Sequence, residues 1–281
     1  MFDDKTSAEK LMSTLVSDLL EASRESTKDG FCDYSKETIL RLETLKILVP
    51  VWSVDTTSLN PHEIDRKSNM FGGNPFTSSK HPWPLNGSGN PCYPLAQLDL
   101  RQISKISSKD LGEGLLQVWL DITDSDLPST IRTIDPADMN EALQNDYPDT
   151  ERIEKIDEYG SWFGISHHCS FNFLGFMLSY WGGGEIEWDY DRDLSEREVE
   201  ILNRLEELSE EHGYRSLKNN WLLGYPDRGS GSPAGKYESE PINLIQFATA
   251  DAFPMVAVSR YANLFYSDDD DDVAYFFDWN G

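Results

Sequence analysis

Phe71-Gly72-Gly73-Asn74-Pro75 and Leu223-Gly224-Tyr225-Pro226 open two similar segments, one in each half of the 281-residue chain. In both segments the Gly-x-Pro turn is followed by an apolar stretch with a glutamine in its middle, Gln97 in the first and Gln246 in the second. Short apolar runs bounded by turn residues are typical of strands. The repeated order predicts that the two segments share one sheet-forming plan.

A third stretch strengthens the match between the segments. Residues 114–121 and 273–278 are both rich in apolar and aromatic side chains, and both end in Asp. The sequence therefore predicts an internal duplication, with related halves at about 65–125 and 215–279.

Helices are expected between and before these strands. Leucines at helical spacing predict an amphipathic helix over 6–24, and a second helix is expected over 35–46. Asp135-Pro136 is typical of a helix start, with the helix ending near residue 144. Ser195 and Glu198 have the spacing of a capping box. Strands mixed with helices in this way favour the α+β class.

The domain organisation follows from these elements. Residues 1–60 are expected to form a helical extension and a first strand at 47–52, whose Pro50 suggests a sheet edge or a bulge. Residues 56–94 are rich in Pro, Gly, Asn and Ser and are expected to be mostly loop. Residues 61–281 are then one domain that contains both related halves.

The two glutamines are expected to be architectural rather than catalytic. A polar side chain among apolar strand neighbours must find hydrogen bonds, so each glutamine can tie its strand to the Gly-x-Pro loop. The predicted structural motif consists of Gly73, Pro75, Gln97, Gly224, Pro226 and Gln246.

A series of short motifs between residues 65 and 279 carries a family resemblance. These motifs are Phe71-Gly72-Gly73, Pro75, Trp83-Pro84, Pro94 to Asp99, Gly114 to Gln117, Leu222 to Pro226 and Tyr275-Phe276-Phe277. With these motifs in this order the chain resembles the YwqG-like family, a bacterial group known mainly as a domain of unknown function. The resemblance covers roughly residues 65–279 and implies a two-lobed α+β fold with internal pseudo-symmetry. Because members of this kind occur among the immunity proteins of bacterial toxin systems, it also implies a toxin-neutralising role.

The chain is strongly acidic. Fifty Asp and Glu residues against 24 Lys and Arg residues give a formal net charge of −26. Such a surface repels nucleic acids and anionic lipids and attracts basic proteins. The alternative reading is that the acidity only keeps the protein soluble. No apolar stretch has the length of a membrane span, and the N-terminus lacks the pattern of a signal peptide, so a cytoplasmic location is expected.

One acidic segment also carries aromatic side chains and is the predicted partner-binding surface. Carboxylates steer a basic partner, and Trp and Tyr supply contact area at interfaces. An edge strand with buried aromatic residues and solvated acids remains the alternative. The predicted surface comprises Glu185, Glu187, Trp188, Asp189, Tyr190, Asp191 and Asp193, extended by Asp269, Asp270 and Asp271.

Catalytic and metal-binding patterns are weak. Asp189, Asp191, Asp193 and Glu200 have the spacing of a calcium loop, but Leu194 replaces its glycine. Neighbouring histidines such as 167–168 point to opposite faces of a strand and cannot share one ion. We therefore predict no catalytic residue, no metal and no cofactor.

The predicted function is that of a non-enzymatic, acidic immunity protein that binds and neutralises a basic bacterial toxin. The alternative is a small-molecule or metal-dependent enzyme with a site in the cleft between the two halves. A third reading is a structural or regulatory protein with a different partner.

Overall fold

The computed structural model describes most of the middle of the chain and several separate stretches elsewhere. The described residues are 48–60, 62–107, 109–124, 128–144, 166–178, 220–224, 242–248, 261–267 and 275–280, with some of 10–25 and 195–204.

The chain divides into two compact units. Unit 1 consists of Met1–Ser53, Asn172–Ala274 and Asp278–Gly281. Unit 2 consists of Val54–Phe171 and Tyr275–Phe277.

Strands dominate both units. In chain order the elements are β1 (Leu48–Leu59), β2 (Met70–Gly72), β3 (Tyr93–Asp99), α1 (Leu100–Ser107), β4 (Leu115–Leu120), β5 (Ser129–Ile134), a 3-10 helix (Asp138–Asn140), β6 (Ser166–Leu178), β7 (Trp221–Leu223), β8 (Ile242–Ala248), β9 (Tyr261–Tyr266) and β10 (Tyr275–Asn280).

The strands of unit 2 follow the order β6-β2-β3-β4-β5, and each neighbouring pair is antiparallel. All six side chains of β4 are buried, as are six of the seven in β3. Their sequences are apolar apart from a central glutamine and the final Asp99, which explains why neither strand shows a polar solvent face. β5 lies at the end of the order, and half of its six residues are exposed.

The strands of unit 1 follow the order β10-β9-β8-β7-β1, with antiparallel pairing from β9 to β1. Leu244, Ile245 and Phe247 of β8 and Leu264 of β9 are fully buried. The core of this unit therefore lies on these two central strands.

The predicted α+β class agrees with this arrangement at the coarse level, because the described residues are mostly antiparallel sheet with few helices. Described residues between 10 and 25, and those between 196 and 204, are helical, as expected. Val199 N–H donates to the carbonyl oxygen of Ser195 at 3.0 Å, which fits a helix start at Ser195. The expected helix at 35–46 lies outside the described residues.

The prediction that 56–94 is mostly loop is confirmed, although β1 continues into this stretch as far as Leu59 and the short β2 also lies within it. Of the two readings of Pro50, the sheet edge is wrong, since β1 lies between β7 and β6 in the strand order, and the bulge stays a prediction. Pro50 is accommodated because the pairing with β7 begins at the next residue, Val51. The expected helix after Asp135 is only the short 3-10 helix.

The stretch at 275–280 that resembles β4 in sequence differs from β4 in its place in the sheet. β4 pairs with β3, whereas β8 pairs with β9 and β10 follows β9 in the strand order. Pairing is set by packing and hydrogen-bond register, which a sequence pattern does not contain. The predicted duplication therefore stays a prediction.

Candidate functional site

Gln97 lies on β3 and its side chain is fully buried. Its Oε1 accepts hydrogen bonds from the Phe76 main-chain N–H at 2.9 Å and from Gln117 Nε2 at 2.7 Å. Its Nε2 donates to the main-chain oxygens of Arg66 and Ser68 at 3.0 and 2.8 Å. Because every donor and acceptor of this amide is used, Gln97 holds the loops on both sides of β2 against β3.

Gln117 lies opposite Gln97 on β4 and is a second fully buried hub. Its Nε2 also donates to the Phe76 carbonyl oxygen at 2.8 Å. Its Oε1 accepts from Arg132 Nε at 2.7 Å and from Trp119 Nε1 at 3.3 Å. The two glutamines therefore form one closed network that spans β3, β4 and β5.

Arg132 extends this network from β5 to the loop before β3. Its NH1 donates to the Pro82 carbonyl oxygen at 2.7 Å, and its guanidinium carbon lies 5.1 Å from the centre of the Trp119 ring. Trp119 packs edge-on against Trp83 at 4.9 Å, and Trp83 Nε1 donates to the Cys92 carbonyl oxygen at 2.9 Å. Cation–π contact and satisfied indole donors make this corner a packed core, not an open site.

Pro75 of the first Gly-x-Pro motif is held by an arginine. Arg66 donates to the Pro75 carbonyl oxygen from Nε at 2.9 Å and from NH2 at 2.7 Å. The same guanidinium donates to Thr77 Oγ1 at 2.6 Å and to the Gln144 carbonyl oxygen at 2.7 Å. The motif is therefore anchored by the forked geometry of one side chain.

Gly73 of the same motif adopts a φ of +73°. A Cβ added at this position would overlap the side chain of Ser166 on β6. Both the backbone conformation and the close approach of β6 therefore require glycine here.

The described part of the second motif lies in unit 1. Gln246 on β8 is fully buried and lies opposite Trp221 on β7 and Asn263 on β9. Asn243 Nδ2 donates to the Leu223 carbonyl oxygen at 3.3 Å, which connects β8 to the end of β7. The architectural role of Gln246 stays a prediction.

The turn after β7 contains two residues with positive φ. Leu223 has a φ of +61° and Gly224 a φ of +78°. Leucine is rarely found in this region, so this backbone is strained. Pro226, the last residue of the predicted motif, lies outside the described residues.

Asn263 is fully buried. Among the residues that the structure describes, neither its Oδ1 nor its Nδ2 has a hydrogen-bond partner. The amides of Gln97 and Gln117 in unit 2, by contrast, use all their donors and acceptors within the protein, whereas Asn74 Oδ1 is likewise buried without a partner among the described residues.

Ser58 and His167 form a further polar pair in unit 2. Ser58 on β1 is exposed, and its Oγ lies 3.1 Å from Nδ1 of His167 on β6. Burial lowers the pKa of His167, so the imidazole is neutral at neutral pH. This pair combines a hydroxyl with an uncharged ring nitrogen.

The two described cysteines are reduced and buried. Burial raises the pKa of the Cys92 thiol to about 11 and that of Cys169 well above its usual range. Because the thiolate is the nucleophile, neither residue is a candidate reactive cysteine.

A surface cluster connects the loop before β3 to the 3-10 helix. Asp138 Oδ2 lies 2.6 Å from Lys80 Nζ and 2.9 Å from His81 Nε2. The hydrogen bonds from Lys80 and His81 lower the pKa of Asp138. The cluster joins the exposed Lys80 and the half-buried His81 to the half-buried Asp138.

The predicted partner-binding surface cannot be compared with the structure. Its members Glu185 to Asp193 and Asp269 to Asp271 lie outside the described residues. Within the described part of the chain, no three His, Cys, Asp or Glu side chains form a group that could hold a metal ion. The helices seen there also lack the length and apolar character needed to cross a membrane.

Sequence reasoning identified Gln97 and Gln246 but missed three members of these sites. Gln117 could have been found by the same signal as Gln97, a glutamine in the middle of an apolar strand. Arg132 gives no such signal, because its role depends on the pairing of β5 with β4. The pairing of Ser58 with His167 joins residues far apart in sequence and is decided by the neighbouring positions of β1 and β6.

A comparison with known protein families gives a match that covers most of the described sites. The family model of a domain of unknown function, DUF1963, matches residues 69–257, which is more than half of the chain. The chain belongs to this family. The matched range includes both Gly-x-Pro sequence motifs and the three buried glutamines Gln97, Gln117 and Gln246. No curated protein matches the chain.

Proposed function

We propose that this protein is an acidic binding protein that neutralises a basic bacterial toxin. The observation that carries the proposal is the formal net charge of −26, which arises from 50 acidic and 24 basic residues. A charge of this size accelerates association with cationic partners and disfavours nucleic acids and anionic membranes. The resemblance to the YwqG-like family, some of whose members occur in toxin-immunity loci, supports a toxin as the partner and a cytoplasmic location.

The proposed interface is the acidic and aromatic segment Glu185–Asp193 with the acidic run that includes Asp269–Asp271. Its alternating carboxylates supply steering, while Trp188 and Tyr190 supply the apolar anchors on which interface affinity depends. This role needs no catalytic group in the protein itself.

The experiment is a pull-down with the tagged protein from its native bacterium, using proteins encoded beside it as baits. The proposal expects one basic partner at a one-to-one ratio, lost in the double variant Glu187→Lys with Asp189→Lys. The matched control is Glu63→Lys with Glu200→Lys, which makes the same change in net charge at exposed positions elsewhere. Equal loss in both variants would contradict a local interface.

A salt series tests the role of charge in the encounter. Raising ionic strength to 0.15 M shortens the Debye length to about 8 Å, so association with the recovered partner should slow markedly. Association that does not depend on salt would contradict electrostatic steering.

We further propose that the two halves arose by duplication of one architectural plan. Gln97 lies opposite Met70 and Gln117, and Gln246 lies opposite Trp221 and Asn263. In each half a buried glutamine therefore lies on a strand between a short strand, β2 or β7, and a strand that carries a second amide side chain, β4 or β9.

Two finer features support the same proposal. The register of the β3–β4 pairing shifts between Pro94 and Ala96, and that of the β8–β9 pairing shifts between Asn243 and Ile245. In both strands the shift lies between the third and the first residue before the glutamine. The short strands also end alike, with consecutive positive φ values at 72–73 and at 223–224. β-bulges and strained turns are specific features, so their repetition favours a common origin.

The duplication is tested by replacing the two glutamines separately. If Gln97 and Gln246 have equivalent architectural roles, Gln97→Leu and Gln246→Leu should lower the free energy of unfolding by similar amounts. A large effect at Gln97 with none at Gln246 would contradict the shared plan.

A further inference from the structure

An exposed hydroxyl beside a buried imidazole distinguishes Ser58 from the other described serine of β1. Ser58 is exposed, whereas His167 is 8% exposed. Their Oγ and Nδ1 atoms are 3.1 Å apart, within the range of a nucleophile and its general base. We infer that Ser58 and His167 form a nucleophile–base pair that reacts with small activated esters and phosphonates. The inference is independent of the toxin-neutralising role.

The placement of the two groups suits this chemistry. The hydroxyl lies on the accessible side of the pair, where a small substrate can reach it. In the tautomer that carries its proton on Nε2, the imidazole presents the Nδ1 lone pair to the Ser58 hydroxyl. Burial of the ring holds it next to the hydroxyl, so the base does not need to be recruited during the reaction.

The electrostatic surroundings keep the base unprotonated. Burial of the ring lowers the pKa of His167, because it disfavours the charged imidazolium. The β2 residues that pair with this part of β6, 70–72, carry no titratable side chain. On β1, Asp55 is three residues from Ser58 and therefore lies on the opposite face of the strand. On β6, His168 follows His167 directly and lies on the opposite face from it for the same reason.

The reaction with an aryl ester can be written with all atoms assigned. Ser58 Oγ forms a bond to the acyl carbon while its proton passes to His167 Nδ1. The bond between that carbon and the aryl oxygen then breaks, and the phenolate leaves with the electron pair and takes up the proton from Nδ1. Water next attacks the acyl carbon and gives a proton to the same, now neutral, nitrogen. The bond between the acyl carbon and Ser58 Oγ breaks, the carboxylic acid leaves, and Nδ1 returns the proton to Oγ. With a fluorophosphonate, the oxygen–phosphorus bond forms, fluoride leaves and the adduct is stable.

Ser53 is the matched control on the same strand. Its Oγ donates to the Asn172 carbonyl oxygen at 3.4 Å, so it is also bonded to β6. A carbonyl oxygen cannot accept a transferred proton at neutral pH, whereas a neutral imidazole can. The inference therefore expects different reactivity from two serines of one strand.

The test is labelling of the full-length protein with a fluorophosphonate probe, followed by peptide mapping. The expected result is an adduct on Ser58 and none on Ser53. His167→Gln, which keeps an acceptor but removes the base, should slow labelling about a hundredfold. Circular dichroism of this variant separates loss of the base from loss of the fold.

The pH dependence of labelling gives a second readout on the unmodified protein. The rate should rise as His167 loses its proton, at a pH below the ordinary histidine value, and stay level from there to about pH 8. Two results would overturn the inference: labelling of Ser53 as fast as Ser58, or a rate that keeps rising with hydroxide concentration through pH 8. Release of 4-nitrophenol from 4-nitrophenyl acetate, abolished in Ser58→Ala and retained in Ser53→Ala, extends the test to turnover.

Discussion

Gln97 and Gln117 connect strands and loops that the hydrophobic pattern alone would leave unconnected. Their mutual hydrogen bond is 2.7 Å long and fully buried, and each amide also binds the main chain at Phe76. Buried amides of this kind stabilise a fold mainly through the large cost of leaving their partners unsatisfied.

Replacing either glutamine should therefore be strongly destabilising. Gln97→Leu leaves the Phe76 N–H and two loop carbonyl oxygens without their partner, and we expect a loss of about 3 kcal/mol in the free energy of unfolding. Gln117→Leu should cost a similar amount. The measurement is urea unfolding of both single variants and of the double variant.

The double variant should be less destabilised than the sum of the single variants, by about 1 kcal/mol, because the two side chains share a hydrogen bond. Gln97→Leu combined with Lys105→Ala, an exposed change on α1, is the additive control. Additivity in the glutamine pair would contradict the network.

Gly73→Ala tests the close approach between the first turn motif and β6. The positive φ alone costs about 1 to 2 kcal/mol for a residue with a Cβ, and the overlap with Ser166 adds to it. Gly89→Ala is the matched control, since Gly89 has a φ of +82° but nothing within 4 Å of the added Cβ.

Thermal unfolding should show a clearly larger loss for Gly73→Ala than for Gly89→Ala. Ser166→Gly in the Gly73→Ala background should recover part of the difference. If the two alanine variants are equally destabilised, β6 does not approach the turn as described.

β5 is held to the sheet by its backbone pairing with β4, by the buried Ile134 and by the side chain of Arg132. Half of its six residues are exposed, but Arg132 bonds Gln117 on β4 and stacks on Trp119. A planar guanidinium can do both at once, whereas an ammonium group cannot. The Arg132 side chain therefore adds a polar connection to the strand at the end of the order.

Arg132→Lys should lower the free energy of unfolding by about 1 to 2 kcal/mol. Arg101→Lys is the control, because Arg101 pairs with Glu113 where both side chains are 58% exposed. Water and salt screen such an exposed pair, so this change should have little effect. Equal effects of the two substitutions on unfolding in urea would show that the network around Arg132 contributes no more than a surface ion pair.

Element prediction from the sequence succeeded where the pattern is local. The apolar stretches around Gln97 and at 114–121 were expected to be strands, and the structure has strands at Tyr93–Asp99 and Leu115–Leu120. The extension of β1 to Leu59 was missed, since its residues 55–59 are exposed and give no apolar signal. An exposed strand is specified by its neighbours in the sheet, which a single stretch of sequence does not reveal.

The net charge acts on the molecule as a whole. With a formal charge of −26, folding brings like charges close together, and their repulsion opposes the compact state. Raising NaCl from 0.01 to 0.15 M shortens the Debye length from about 30 to about 8 Å. We expect the free energy of unfolding to rise by on the order of 1 kcal/mol over this range.

Unfolding in urea, which is uncharged, is the suitable measurement. KCl should raise the free energy of unfolding as much as NaCl does. Sucrose at equal osmolarity is the control: it carries no charge and does not screen the side chains, so its effect should depend differently on concentration. Stability that does not change with either salt would show that the acidic side chains are too dispersed to repel one another.

The sequence by itself determined the acidic charge, the turn motifs and the apolar strands with a central glutamine, because these properties depend on residue type and local spacing. Only the tertiary structure decided that Gln117 and Arg132 complete the network of Gln97, that β9 is the neighbour of β8, and that Ser58 meets His167. The physical reason is that strand pairing and side-chain contact join distant parts of the chain. They are selected by packing and hydrogen-bond register, which no single stretch of sequence contains.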